Sequence, residues 1–365
     1  MIKYLGSKRT LLPVLGDIAA ATGASTALDL FTGTTRVARE FKRRGLCVTA
    51  ADVASYSKIL ADCYIATDAH DVDQRELRDA LRHLSSLPGQ DGYFTETFCV
   101  RSRYFQPKNG ARVDAIRDCI EADYAGTALY PVLLTSLMLA ADRVDSTTGV
   151  QMAYLKQWAP RAHNDLELRP PELLPGPGEA VLGDASALVG ELPQTDLAYL
   201  DPPYNQHRYF TNYHIWETLV RWDAPESYGV ACKRIDSRDD ATKSVFNRKR
   251  EMPGALREVI ARTRATMVVV SYNNESWISP EEMTTALAGS GREEVQMLAF
   301  DSKRYVGAQI GIHDPRGQKV GTVSHLRNQE YLFLAGPAEM VRAAVAAAPV
   351  GGAAAPVGTD AGKLF

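Results

Sequence analysis

"STALDLFTGTTRVAREFKRRGLCVTAAD" (Ser25–Asp52) decides the fold. Its apolar opening, "STALDLF" (Ser25–Phe31), reads as a strand that feeds a Gly/Thr turn at Thr32–Thr35. A helix is expected over Arg36–Arg44, closed by Gly45 in the position past a helix end that favours glycine. "CVTAAD" (Cys47–Asp52) is the next strand and ends on an acid. Strand, helix, strand is the start of a parallel, doubly wound sheet, so the expected class is α/β.

The same crossover can carry chemistry. Gly33 lets the backbone come close to a ligand, and an acid ending the second strand, Asp52, can hold ribose hydroxyls. Thr34 and Thr35 stand where a GxGxxG dinucleotide fold leaves room for a pyrophosphate. That argues against NAD or FAD and suits a nucleoside cofactor without phosphate. A glycine turn flanked by two exposed acids, Asp29 and Asp52, is the plain alternative at this point.

Outward from the crossover, Leu11–Ala21 has the composition of a helix, and 56–142 is mostly helical with one loop signal, "FQPKNGARVD" (Phe105–Asp114). "PPELLPGPG" (170–178) is a linker. Strands resume with "EAVLGDAS" carrying Asp184, "DLAYLDPPY", "ATMVVVSYNNE" (Ala265–Glu275) and "EYLFLAG" (Glu330–Gly336). The expected division is a core of 1–55 and 175–335, a mostly helical insertion over 56–174, and a flexible Ala/Gly/Pro tail over 336–365.

Composition sets the bounds. The chain has 365 residues, 45% hydrophobic and 23% charged, with a formal net charge of −3. No global nucleic-acid signature exists, so polyanion binding has to come from local clusters. Five cysteines without a CxxC pair give neither a zinc site nor a disulfide framework, and no metal is expected. No run is apolar enough for a membrane span or signal core, so a cytoplasmic protein is expected.

"YLDPPYNQHRY" (Tyr199–Tyr209) follows a buried-looking strand. Two prolines stop that strand, each fixing φ and removing a donor. Asp201 and Tyr204 are thereby held on a backbone that cannot relax. Asp52, Asp184 and Asp201 then lie at the carboxyl edge of successive strands, where doubly wound sheets keep ligands. Acids on one rim repel one another unless each has a donor to bind.

These residues resemble the Dam-like, amino-methylating DNA methyltransferases that use S-adenosylmethionine. "KYLGSKR" (Lys3–Arg9) is similar to the family's N-terminal cofactor block, which implies cofactor roles for Tyr4 and Lys8. "DLFTGT" (Asp29–Thr34) resembles its glycine loop, adding Asp29, Phe31, Gly33 and Thr34, with Asp52 as the ribose acid. "GDA" around Asp184 is similar to the acid that reads the cofactor's adenine. "DPPY" is the catalytic tetrad, Asp201, Pro202, Pro203 and Tyr204. The resemblance spans about residues 1–335 and implies a Rossmann-like methyltransferase sheet with a helical target-recognition insertion. It further implies methylation of adenine N6 in a specific double-stranded DNA sequence, by base flipping and direct in-line transfer. A cognate restriction endonuclease is the second partner it allows. Cytosine N4 is the alternative target, since the mechanism is shared; serine opens that tetrad more often than aspartate. RNA- and protein-glutamine-methylating relatives usually open it with asparagine.

Two basic segments are candidates for DNA contact. "RSRYFQPKNGAR" offers Arg101, Arg103, Lys108 and Arg112, and "CKRIDSRDDATKSVFNRKRE" offers Lys233, Arg234, Arg248 and Lys249. A solvated charged face is the alternative. "DSKRYVGAQIG" (Asp301–Gly311) reads as a further basic turn. Tyr209, Tyr213, His214 and Trp216 either line a base pocket or fill the core side of a helix.

Overall fold

The computed structural model describes residues 2–4, 6, 8–203, 208–303, 327–348 and 353–355. It divides into two compact units, one of 1–7, 32–184 and 207–244, the other of 8–31, 185–206 and 245–365. Apart from a short hairpin, the strands in chain order are β1 (Thr26–Asp29), β2 (Cys47–Asp52), β3 (Gly178–Leu182), β4 (Thr195–Leu200), β5 (Ala265–Asn273), β6 (Glu294–Lys303), β7 (Arg327–Gly336) and β8 (Ala353–Ala355).

The second unit holds strands in the order β8-β6-β7-β5-β4-β1. β1, β4 and β5 are parallel, with Leu28 opposite Ala198 and Leu197 opposite Met267. β7 and β6 are antiparallel, Asn273 of β5 facing Glu330 of β7. The parallel strands are continuous apolar runs because helices cover them: Leu197, Ala198, Leu200 and Met267–Val270 are all buried. The covering helices are α1 (Leu12–Ala21), α8 (Met252–Arg262), α9 (Pro280–Ala288) and α10 (Ala338–Ala347). Ser279 and Glu282 close a reciprocal capping box at the start of α9. Residues 338–347, expected in a flexible tail, form α10 instead, with Val341 and Ala344 buried and the helix packed against α1. β6 was not expected; only residues 301–303 of the supposed basic turn are described, and they end that strand.

In the first unit β2 pairs in parallel with β3, Ala50 opposite Ala180. The helices of this unit include α2 (Arg36–Arg43) and α3 (Ser55–Ala61), which pack on the pair, and α4 (Gln74–Ser86), α5 (Pro107–Tyr124), α6 (Tyr130–Arg143) and α7 (His214–Arg221). A π-helical turn, Asp62–Ala66, prolongs α3. β3 runs so close to it that a Cβ at Gly178 would sit 2.9 Å from both Ile65 Cγ2 and Val48 O. β2 and β3 therefore pack with the helical insertion, which differs from the expected division at 55 and 175.

Of the segment expected as a loop, 105–114, residues 107–114 are the start of α5. Asn109 and Gly110 were turn signals, but Gly110 is there for packing: a Cβ would overlap Cys99 Sγ. Asn109 instead donates to the Asn164 carbonyl at 2.9 Å and accepts from Leu166 N–H at 3.0 Å. Among the described residues no helix is long and apolar enough to cross a membrane.

Candidate active site

In the second unit, β4 ends at Leu200 and the chain passes through Asp201, buried Pro202 and Pro203. Tyr204 lies outside the described residues. Lys8, just before α1, sends its ammonium to this edge and is 5% exposed there. Its Nζ is 3.3 Å from Asp201 Oδ1 and 3.1 Å from Glu330 Oε2. Asp201 keeps 20% of its side chain exposed and Glu330 16%. Burial pushes the Asp201 carboxyl up to about 6; Lys8 pulls it down and Glu330 pushes it further up. Asp29 ends β1 opposite Tyr199 and is 1% exposed. Phe31 stands edge-on to Phe246 with ring centroids 5.1 Å apart.

In the first unit, Asp52 at the end of β2 organises the glycine loop. Gly33 N–H donates to its Oδ2 at 2.8 Å and Ala54 N–H to its Oδ1 at 3.0 Å. Burial raises its carboxyl above the usual range while these donors resist. Gly33 has φ +51°, and a Cβ on it would come 3.2 Å from the Tyr4 ring, so both conformation and space require glycine. Thr34 is buried beside it. Thr35 is fully buried with φ +61°, a left-handed conformation that strains a β-branched residue. Its hydroxyl donates to the Thr34 carbonyl at 2.7 Å. Tyr4 stacks on Tyr213, centroids 4.6 Å apart, and on Tyr209, 5.3 Å apart. Gly183 N–H donates to the Asp52 carbonyl at 2.9 Å, which brings Asp184, half-buried, to the end of β3 beside the end of β2. Buried Glu217 of α7 accepts from Ser55 N–H at 3.0 Å, placing a carboxylate at the positive N-terminus of α3.

The basic candidates separate sharply. Arg234 is 1% exposed, with Nη1 and Nη2 each 2.7 Å from an Asp223 oxygen and Nη2 also 2.7 Å from Asp236. Its guanidinium is consumed inside the unit, which corrects its expected place at DNA. Arg112, half-buried, donates to the Ser85 carbonyl at 2.9 Å and to the Leu87 carbonyl, at the end of α4. Lys108 reaches the His163 carbonyl at 2.9 Å and Asp165 at 2.5 Å, while remaining exposed. Arg103 stacks over Trp158 at 4.8 Å. Arg101, Arg248 and Lys249 are exposed and Lys233 half-buried, Arg248 pairing at 3.1 Å with Glu251.

Of the aromatics, Trp216 and His214 fill the core, His214 Nε2 lying 2.9 Å from the Gln151 carbonyl. Tyr213 is buried but serves the Tyr4 stack. Sequence reasoning missed Glu330, the left-handed backbone of Thr35 and the Tyr4 stack. Only the order of strands and the packing of the N-terminal segment could have revealed them.

Over residues 4–286 the chain matches the model of the D12 class N6 adenine-specific DNA methyltransferases. It is 31% identical over 304 residues to modification methylase StsI of Streptococcus sanguinis, covering 78% of this chain and 46% of that protein. Type II methyltransferase M.NlaIII of Neisseria lactamica is 31% identical over 314 residues, 82% of this chain and 91% of that one. M.FokI of Planomicrobium okeanokoites is 27% identical over 320 residues, 81% and 48% of the two chains. The chain thus spans about half the length of StsI and M.FokI and nearly all of M.NlaIII.

Proposed function

The chain belongs to the D12 class N6 adenine-specific DNA methyltransferases, and from that premise we propose that it methylates adenine N6 in a specific double-stranded DNA sequence, with S-adenosylmethionine as donor. The observation that carries the reading is a largely buried carboxylate, Asp201, at the carboxyl edge of a parallel strand, followed by two prolines and gripped by a buried lysine. The family of the chain, with its aspartate-opened tetrad, favours adenine over cytosine N4.

The residues present fit a phosphate-free nucleoside. Asp52 is oriented by two loop N–H groups and keeps lone pairs for ribose hydroxyls. The strained, tightly packed turn at Gly33–Thr35 offers no cradle for a pyrophosphate. Tyr4, Lys8, Asp29, Phe31, Gly33, Thr34 and Asp184 complete the proposed cofactor set. When bound, S-adenosylmethionine supplies a sulfonium methyl, whose S–CH₃ bond breaks with its electrons left on sulfur.

Asp201 and the Pro202 carbonyl each accept one N–H of the adenine amine. That frees the nitrogen lone pair, otherwise delocalised into the ring, to form the new N–CH₃ bond. Positioning supplies most of the acceleration. Asp201, with its raised affinity for protons, then takes the proton released from the methylated nitrogen. Tyr204 is assigned the face of the extruded base, because the amine cannot be reached inside a duplex. Arg101, Arg103, Lys108, Arg112, Lys233, Arg248 and Lys249 are the proposed phosphate contacts. A cytoplasmic modification enzyme with a cognate endonuclease is the setting this reading fits.

Incubation with labelled S-adenosylmethionine and unmethylated duplex DNA, followed by nucleoside mass spectrometry, tests it. N6-methyladenine is expected. N4-methylcytosine in its place would change the target base, and neither product on any DNA would end the proposal.

A further inference from the structure

We propose that Glu330 is a positioning residue for methyl transfer, holding the Lys8 ammonium against one oxygen of Asp201 so that the other oxygen faces the target amine. The inference rests on the role given to Asp201 above and extends it to a residue outside every sequence block. Lys8 Nζ lies between the two acids, 3.1 Å from Glu330 Oε2 and 3.3 Å from Asp201 Oδ1. All three groups are at most one-fifth exposed.

A lysine ammonium is a compact charge on a flexible stem, so one acid alone does not fix it in place. A second acid bonded to the same nitrogen restrains it. Glu330 sits on β7 opposite Asn273 of β5, a rigid strand position that cannot follow Asp201 if that residue moves. The pairing therefore localises the cation on Oδ1 and leaves the trio with one net negative charge. That charge suits an amine that turns cationic as it accepts a methyl group. Among the described residues, Tyr199 on the same strand is a further ionisable group whose charge interacts with Asp201, and Asp29 acts on Tyr199 in turn.

Each partner makes an opposite prediction for the pH at which activity is lost in acid. Removing the Glu330 charge leaves Lys8 to Asp201 alone, so the carboxylate persists to lower pH. Removing the Lys8 charge has the reverse effect. The experiment measures single-turnover methylation of duplex DNA across pH for the wild type, Glu330→Gln and Lys8→Met, with KM and kcat resolved at pH 8. The acid limb should move down by about half a pH unit or more in Glu330→Gln and up by a similar amount in Lys8→Met. Glu330→Asp, which keeps the charge but draws Lys8 away, should lose turnover about tenfold with KM for DNA and the acid limb unchanged. It carries the test should Glu330→Gln not fold. Limbs that stay at the wild-type position, or move the same way in both variants, would overturn the inference while wild-type N6-methyladenine formation still stands. Absence of that product from the wild type would instead remove the reading on which the inference rests.

Discussion

Asp201 does its work as a carboxylate that the protein keeps at some cost. Its acidity lies at about 6, above the free value, because burial outweighs Lys8. Methylation should therefore be level above neutrality and fall about tenfold per pH unit well below 6, read from single-turnover rates. The same displacement has a sign for stability. A carboxyl whose folded pKa exceeds its unfolded value stabilises the fold below the unfolded value, near 4, and loses that contribution as pH rises through about 6. Asp201→Asn should accordingly raise the melting temperature at pH 7 and not at pH 4, by a free energy on the order of 2 kcal/mol. Asp201→Ala should cut turnover by about a hundredfold or more. Calorimetric affinity for S-adenosylmethionine should change by less than about 1 kcal/mol, and a larger loss would count against the role assigned to Asp201. The acid itself was legible in sequence, because two prolines after an apolar strand leave few other readings. Its neighbours were not: Lys8 and Glu330 are 322 positions apart, and only the β5–β7 pairing brings them to one edge.

At the scale of elements, β4 and β5 were readable because their burial makes them near-continuous apolar runs. The start of α5 was not. Asn109 and Gly110 are turn residues by composition, yet their side-chain requirements arise from tertiary contact, with the carbonyl of Asn164 and the sulfur of Cys99. Gly110→Ala should thus behave as overpacking: a loss of about 1–3 kcal/mol, seen as a lower urea midpoint with unchanged slope. A neutral substitution would favour the turn reading. α10 escaped notice for a related reason. Its alanines read as low complexity, but alanine is also the best helix former, and the helix packs against α1, β6 and β7 with Val341 and Ala344 buried. β6, with Glu294, Gln296 and Asp301 interrupting its apolar positions, lacks the run that marked its neighbours.

Over the whole molecule, a net charge of −3 gives DNA no general attraction, so affinity has to come from particular cations. Sequence density alone could not say which, because it counts a buried arginine and an exposed one equally. Burial separates them: Arg234 is consumed by Asp223 and Asp236, whereas Arg101 and Lys249 stand in solvent. The two groups should respond differently in one measurement, the dependence of DNA affinity on salt. Each phosphate contact removed lowers the log–log slope by about 0.9, as released counterions are no longer counted. Arg101→Ala and Lys249→Ala should each do so, with melting temperature unchanged. Arg234→Met should leave the slope of the folded protein alone and cost about 2–3 kcal/mol of stability, since it strands two partly buried acids. A reduced slope for Arg234→Met at full stability would return that residue to the DNA surface. Unchanged slopes for Arg101 and Lys249 would mean that phosphate contact is made by other cations.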